Sequence, residues 1–382
     1  MPELDWAIVG GGLHGAFLAR RLRQTGAGEP TVFDPESDPL AAWRRRAAAC
    51  GMDHLRSPAA HHLGGPGDGL LAFAHAQGYD TRHLLGRYRR PSRALFEAHA
   101  AAALAANATP RIPERVTHLA RLSGGWRLHT HNGHYRARRV LLAPGPPPVR
   151  RPAWATGMPH LFDPVPAAAP ADGEIAVIGG GISAAQAALA FAGAGRRVWL
   201  VSRGPIRQAT FDSEPCYAGP RCMVPFAAAR DPRHRRRLIR AARRPGSLPP
   251  DIHARLAAAL AEGRVRLVRG EIAGLGDAGP TLADGRRLRV DTLRLATGFE
   301  DVPPGGRLLR DLIEEQGPPL APCGFPRPAE NLEWLPGLFV AGRLAELVLG
   351  PMAGNIRGAR AAAERLARAA DTDIRRAAAA LP

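Results

Sequence analysis

Three glycines and an acid carry the first chemistry in this chain. Gly10, Gly12 and Gly15 stand as G-x-G-x-x-G, and Asp34 follows 24 residues after the first. In such a pattern the first glycine permits a tight turn, the second lets a pyrophosphate approach the backbone, and the third lets a helix pack on the preceding strand. A carboxylate at the position of Asp34 can accept hydrogen bonds from ribose hydroxyls. The pattern returns at Gly179, Gly181 and Ala184, with alanine a permitted third residue and Ser183 beside it. Counting 24 from Gly179 reaches Arg203, just after Ser202, so counting alone makes Asp34 and Arg203 equivalent. An acid there favours a free 2'-hydroxyl and repels a 2'-phosphate by up to ~4 kcal/mol at about 4 Å and an effective dielectric near ~20. A guanidinium instead grips the phosphate with parallel hydrogen bonds. The expectation is FAD in the first cradle, and NADPH in preference to NADH in the second.

The surrounding elements must place these groups at strand ends. The apolar run Ala7 to Val9 precedes the first turn, and Ala16, Leu18, Ala19 and Leu22 fall on one face of a following helix. Thr31 to Phe33 forms the next strand, and residues 174–203 repeat the strand, turn, helix and strand. Alternating runs from Arg115 to Leu142, broken at Gly124-Gly125 and Asn132-Gly133, predict hairpins ending at Leu142-Ala143-Pro144-Gly145. A proline-rich tract to Pro170 reads as a domain connection. The predicted fold is α/β with two Rossmann-like dinucleotide-binding domains. Residues 1–168 are expected to form the first part of the FAD domain, 169–290 an inserted NADPH domain, and 291–382 the second part of the FAD domain, with Thr297 and Gly298 also assigned to the NADPH site.

Other candidates lie on loops. Pro35 to Tyr79 shows no sustained period, and long irregular segments in compact domains are usually functional. Within it Met52, Arg56 and Ser57 are placed near the reactive end of the first cofactor, with Arg56 suited to a substrate carboxylate. Ser92 is expected to cap the helix that follows it. Phe211 to Glu214 are placed at the nicotinamide. Near the C-terminus Gly342 follows a strand, and Gly350, Pro351, Gly354 and Asn355 precede a helix whose N-terminus can stabilise charge on a flavin edge.

Composition narrows the function classes. The net charge of +18 would raise nucleic acid as a partner, but all 52 basic residues are arginine and they are spread along the chain. Even the densest run, Arg233 to Arg244, reads as a solvated helix face, so neither a nucleic-acid nor a membrane partner is expected. His129, His131 and His134 share a hairpin without nearby Cys or carboxylate, and no metal site is assigned. Four cysteines are too few for a disulfide scaffold, the chain enters its first strand at once, and no apolar run approaches a membrane span. A cytoplasmic location is therefore expected; self-association is left open.

Taken in order, the first fingerprint, L-A-x-G, the second fingerprint with its arginine, L-A-T-G-F and the terminal G-L-F-V-A-G resemble the two-dinucleotide-binding-domain flavoproteins. GGGISAAQ (Gly179 to Gln186) and LATGF (Leu295 to Phe299) are most similar to flavin-dependent monooxygenases that N-hydroxylate ornithine, lysine and related amines, and to flavin-containing monooxygenases. The chain departs from that group at Ile182 and Gln186, where Gln and Glu are usual. It also has Pro144 for Thr, and only Trp154 and His160 in register with the group's F-x-G-x-x-x-H. The resemblance implies that NADPH reduces FAD, oxygen adds at flavin C4a, and one oxygen atom passes from the hydroperoxide to a small-molecule amine. A reductase passing electrons to a quinone or other carrier is the alternative, and a non-catalytic FAD/NADPH sensor the third reading. Disulfide reductases need a closely spaced cysteine pair, whereas Cys216 and Cys222 have five residues between them and read as structural or incidental. Those reductases also place an Asp where this chain has Arg343.

Overall fold

The computed structural model describes residues 3–64, 69–106, 108–163, 173–276 and 279–379, with side chains to residue 368. The proposed boundary between 168 and 169 and part of the proline-rich connection lie outside them.

The first unit opens with β1 (Leu4–Val9), α1 (Leu13–Gln24) and β2 (Pro30–Phe33). It continues through β3 (Arg111–Ile112), β4 (His118–Leu122), β5 (Gly125–His129) and β6 (His134–Leu142). The second unit has β7 (Glu174–Ile178), α2 (Ile182–Gly193), β8 (Arg197–Ser202), β9 (Val265–Arg269) and β10 (Thr292–Leu295). The chain then returns to the first unit with β11 (Glu333–Leu335), β12 (Leu338–Val340) and α3 (Ile356–Ala379).

The eight-stranded sheet runs β11-β12-β6-β1-β2-β3, with β4 and β5 attached through β6. β1 is parallel to both β2 and β6, as expected where helices cross between strands. The hairpins read from Gly124-Gly125 and Asn132-Gly133 are present as β4–β5 and β5–β6. The smaller sheet runs β9-β8-β7-β10, all parallel, and is threaded between β6 and β11; because β10 pairs with β7, the second unit extends past the expected boundary at residue 290 to Leu295. Parallel strands covered on both faces need near-continuous apolar runs. Accordingly Ala7 and Ile8 in one sheet, and Ile175, Ala176 and Val177 in the other, are fully buried.

Two local expectations change. The stretch Pro35 to Tyr79 holds helices at Ala41–Ala49 and Leu70–Ala76. The first, AAWRRRAAA, buries only Ala47 and so carries no apolar stripe for periodicity to detect. Ser92 does cap its helix, accepting the Leu95 N–H at 3.2 Å. Helix Pro232–Ala242, read as a solvated arginine face, instead buries Arg236. Among the described residues no helix is long and apolar enough to cross a membrane.

Candidate functional site

Each glycine of the first fingerprint has a distinct physical role. Gly10 has φ +99°, and a Cβ there would stand 2.2 Å from the Ala143 carbonyl. A Cβ on Gly15 would meet the Gly10 carbonyl at 1.8 Å, which ties α1 close against the turn. Gly12 faces open space at the start of α1, where a pyrophosphate can meet free N–H groups. Asp34 follows β2 and accepts the Gly11 N–H at 2.6 Å and the Glu36 N–H at 2.8 Å. Arg111 closes this cradle from β3, donating to the carbonyls of Gly11 at 3.1 Å and Glu36 at 2.7 Å. Sequence reasoning missed Arg111, because only the pairing of β3 with β2 brings it there.

The second fingerprint repeats the arrangement. A Cβ on Gly179 would meet the Ala296 carbonyl at 2.3 Å, Gly181 faces open space, and Ala184 is buried beneath the turn. The register, however, corrects the pairing of Asp34 with Arg203. Gly10 N–H bonds Phe33 O, and Gly179 N–H bonds Val201 O, so Ser202 is the counterpart of Asp34 and Arg203 lies one residue further on. The Ser202 hydroxyl lies against Gly180 as the Asp34 carboxylate lies against Gly11, and donates to the Gly204 carbonyl at 2.8 Å. Arg203 is exposed on the rim of the cleft.

That cleft, about 1130 Å³, runs from Gly179, Gly181 and Ser183 past Thr297 and Gly298 to Pro351, Gly354 and Asn355. The Thr297 hydroxyl donates to the Arg150 carbonyl, tying the L-A-T-G-F turn to the chain that enters the second unit. Seven arginines line the cleft, among them Arg150, Arg203, Arg207 and Arg244, against the carboxylates of Asp212 and Glu271. This excess of positive charge suits a phosphate-rich ligand.

At the far end the side chain of Asn355 caps α3, accepting the Gly358 N–H at 3.2 Å. His14 from α1 packs beneath Gly342, and neither of its buried ring nitrogens finds a hydrogen-bond partner. Burial lowers its pKa to about 4 against the opposing pull of the Asn355 and Gly354 backbone, leaving a neutral imidazole at neutral pH. An open Gly12, an orphaned imidazole and a capped helix N-terminus fit the pyrophosphate and flavin ends of FAD. Gly342 and Gly350 both have positive φ and shape the turns leading there.

A buried ionic cluster supports the same end. Glu346 is fully buried and takes contacts from Arg236, from Arg243 at 2.5 Å and from Arg343 at 3.5 Å. Asp301 binds Arg236 at 2.6 Å, and Arg240 and Arg343 at 3.1 Å. Burial pushes the Asp301 carboxyl up, but Arg236 and Arg240 outweigh it and hold the group below its ordinary range. Burial, then Arg343 and Arg236, bring Arg243 down to about 10, still charged at neutral pH.

The loop candidates separate. Arg56 donates through Nε and both Nη atoms to the carbonyls of Ala209, Thr210, Phe211 and Ser247, and to the Ser247 hydroxyl, at 2.7 to 3.2 Å. It therefore staples the loop to the second unit and offers no open fork to a carboxylate, contrary to its predicted role. Met52 packs between the two cores and lines neither the cleft nor the chamber beside it. Ser57 and Phe211 line that smaller chamber of about 260 Å³, which shares Arg56, Asp212 and Asn355 with the cleft. Ser213 lines the cleft, and Glu214 pairs with Arg244. Cys216 and Cys222 form a disulfide, because the bend between Pro215–Ala218 and Pro220–Ala228 brings their Cα atoms to 5.3 Å.

Two glycine-turn cradles on two sheets, with a phosphate-suited cleft leading from one to the flavin end of the other, define the architecture of the two-dinucleotide-binding-domain flavoproteins. Residues 7–147 match the FAD-NAD(P)-binding family, whereas no curated protein sequence matches the chain. Among solved structures it is similar to a flavin-containing monooxygenase from Stenotrophomonas maltophilia, at 21% identity and TM-score 0.66, over 98% of this chain and 100% of that one. It is also similar to the FAD-bound cadaverine monooxygenase of desferrioxamine biosynthesis from Erwinia amylovora (15%, TM-score 0.72, 97% and 95%). A third similar structure is the bacillithiol disulfide reductase of Bacillus cereus (17%, TM-score 0.61, 97% and 100%). These likenesses establish the fold.

Proposed function

We propose that the protein is an oxidoreductase that binds FAD in the first unit and NADPH in the second, and that inserts one oxygen atom into a small amine. One observation carries the oxygenase reading above a carrier reductase. A small chamber opens off the cofactor cleft beside Asn355, giving an organic substrate its own place next to the flavin end. When bound, FAD supplies hydride acceptance and oxygen activation. The chain's own tasks are binding, orientation and exclusion of water. Gly12 and Asp34 would hold the pyrophosphate and adenosine ribose of FAD, and Gly181 the pyrophosphate of NADPH. Arg203 would take the 2'-phosphate. The N-terminus of α3 would stabilise negative charge on the flavin's electron-rich edge.

The Cys216–Cys222 disulfide favours the second reading, a reductase, since a bonded pair can accept two electrons. Neither cysteine lines the cleft or the chamber, which places this reading behind the first. The deciding experiment screens NADPH oxidation over amines, amino acids and sulfides under isotopically heavy oxygen gas, with product mass as readout. A product carrying one labelled oxygen atom is expected. Fast NADPH turnover on quinones or disulfides with no labelled organic product would establish the reductase instead.

A further inference from the structure

The small chamber has a composition that the cofactor chemistry does not require. Tyr88 and Phe211 meet edge to face with ring centroids 4.8 Å apart, and Pro58, Pro215 and Met352 complete a mostly apolar wall. Three of its lining residues can carry charge: Arg56, His61 and Asp212. The Arg56 guanidinium is engaged by the four carbonyls and the hydroxyl described above. His61 is kept neutral near pH 7, burial and then Arg357 and Arg360 lowering its pKa to about 4.

Asp212 differs from both. Asp212 lines the chamber and the cleft together, and among the described residues its carboxylate closes no hydrogen bond or ion pair. Arg56 and Arg243 lie within its field, but Arg56 is held by carbonyls and Arg243 by Glu346 and Asp301. The chamber thus presents apolar and aromatic surface, the neutral polar groups of Ser57, Tyr88 and Asn355, one carboxylate without an ion-pair partner, and no open cationic fork. An amino-acid carboxylate brought here would find only neutral donors, from Ser57, Tyr88 and Asn355, with no open cation to offset its lost hydration, and would face Asp212 as a like charge. A primary amine on an apolar body meets the opposite situation, since its N–H groups can donate to Asp212 while the body packs on Tyr88 and Phe211.

We infer that this chamber is the substrate site, and that its ligand is a compact primary amine with an apolar or aromatic body and no carboxylate, held through Asp212. The inference rests on the oxygenase reading for the word substrate, and on the chamber alone for the ligand class.

The test is calorimetric titration of the FAD-loaded protein with three probes of one shape: 2-phenylethylamine, L-phenylalanine and 2-phenylethanol. The amine should bind at least tenfold more tightly than the amino acid. Asp212→Asn should weaken the amine about tenfold and leave the alcohol within twofold, whereas Phe211→Ala should weaken amine and alcohol alike. Asp212 is exposed and unpaired, so its amide variant is expected to fold, and an unchanged melting temperature checks this. Equal or tighter binding of phenylalanine, or an amine affinity indifferent to Asp212→Asn, overturns the inference. Product analysis separates it from the reading beneath. An amine that binds as described yet gains no oxygen sinks the oxygenase and leaves the chamber assigned; a hydroxylated amino acid alone does the reverse.

Discussion

Ser202 stands in the second cradle where Asp34 stands in the first, and the proposed preference of the second cradle for NADPH rests on that exchange. A hydroxyl at this place leaves room and neutral polarity beside the ribose, and Arg203, one residue on, supplies the charge. Ser202→Asp restores the acid of the first cradle and should lower the ratio of kcat/KM for NADPH over NADH by roughly ten- to a hundredfold, below the unscreened Coulomb limit because the rim is wet. Arg203→Ala should lower the same ratio by about tenfold, the lower end of what a charge-assisted hydrogen bond contributes. Steady-state kinetics with both nucleotides checks the pair, and a ratio unmoved by either change would falsify the assignment. The sequence shows the glycines and both charged residues plainly. What it hides is the register. The turn between helix and strand is shorter in the second unit, Ala194 to Arg196 against Thr25 to Glu29, and a residue count carried over from the first unit misses the shift.

At the level of elements, two arginines show how an exposed-looking charge becomes structural. The strand, turn and helix order of both units is legible because small and apolar residues recur at 2.0 or 3.6 spacing. Arg56 and Arg236 carry no such signal, since their partners lie far away in sequence: Thr210 and Ser247 for the former, Asp301 and Glu346 for the latter. Arg56→Ala would leave several carbonyls of the 209–211 segment without donors, at a cost of the order of 3 kcal/mol, and should open that segment to limited proteolysis. Arg56→Lys should recover only part, because an ammonium cannot reproduce the planar fork. Glu346 is the more severe case. Glu346→Gln leaves Arg236, Arg243 and Arg343 facing one another with Asp301 as the remaining acid of the cluster, and breaking a buried ionic contact in this way costs about 3–5 kcal/mol. Urea unfolding of the variant, read by tryptophan fluorescence, should show the midpoint fall with little change in slope.

For the molecule as a whole, stability should depend on pH through histidines rather than through the abundant arginines. His14, His61 and His160 sit at three separate places: under Gly342, in the chamber wall, and beside β10, where His160 accepts the Phe162 N–H at 3.1 Å. Burial is the leading cause in each, and lowers all three to about 4 from an ordinary value of 6.5. At His61 neighbouring arginines add to burial, whereas at His160 Asp163 opposes it in part. The folded state therefore holds neutral imidazoles at pH values where the unfolded chain has already protonated them. Because the unfolded state binds more protons between pH 6.5 and 4, stability is full above 6.5 and declines as the pH falls through that window. Each histidine contributes a slope of up to about 1.4 kcal/mol per pH unit. The carboxylates act lower, since Asp301 is held below its ordinary value of 3.8 and begins to matter only beneath the histidine window. Bound FAD should flatten the His14 share by giving its ring a partner, so the apoprotein is expected to show the steeper profile. Denaturant unfolding of apo- and FAD-loaded protein at half-unit steps from pH 7.5 to 4.5 measures both curves, and coincident slopes in the two forms would remove His14 from the flavin end of the site.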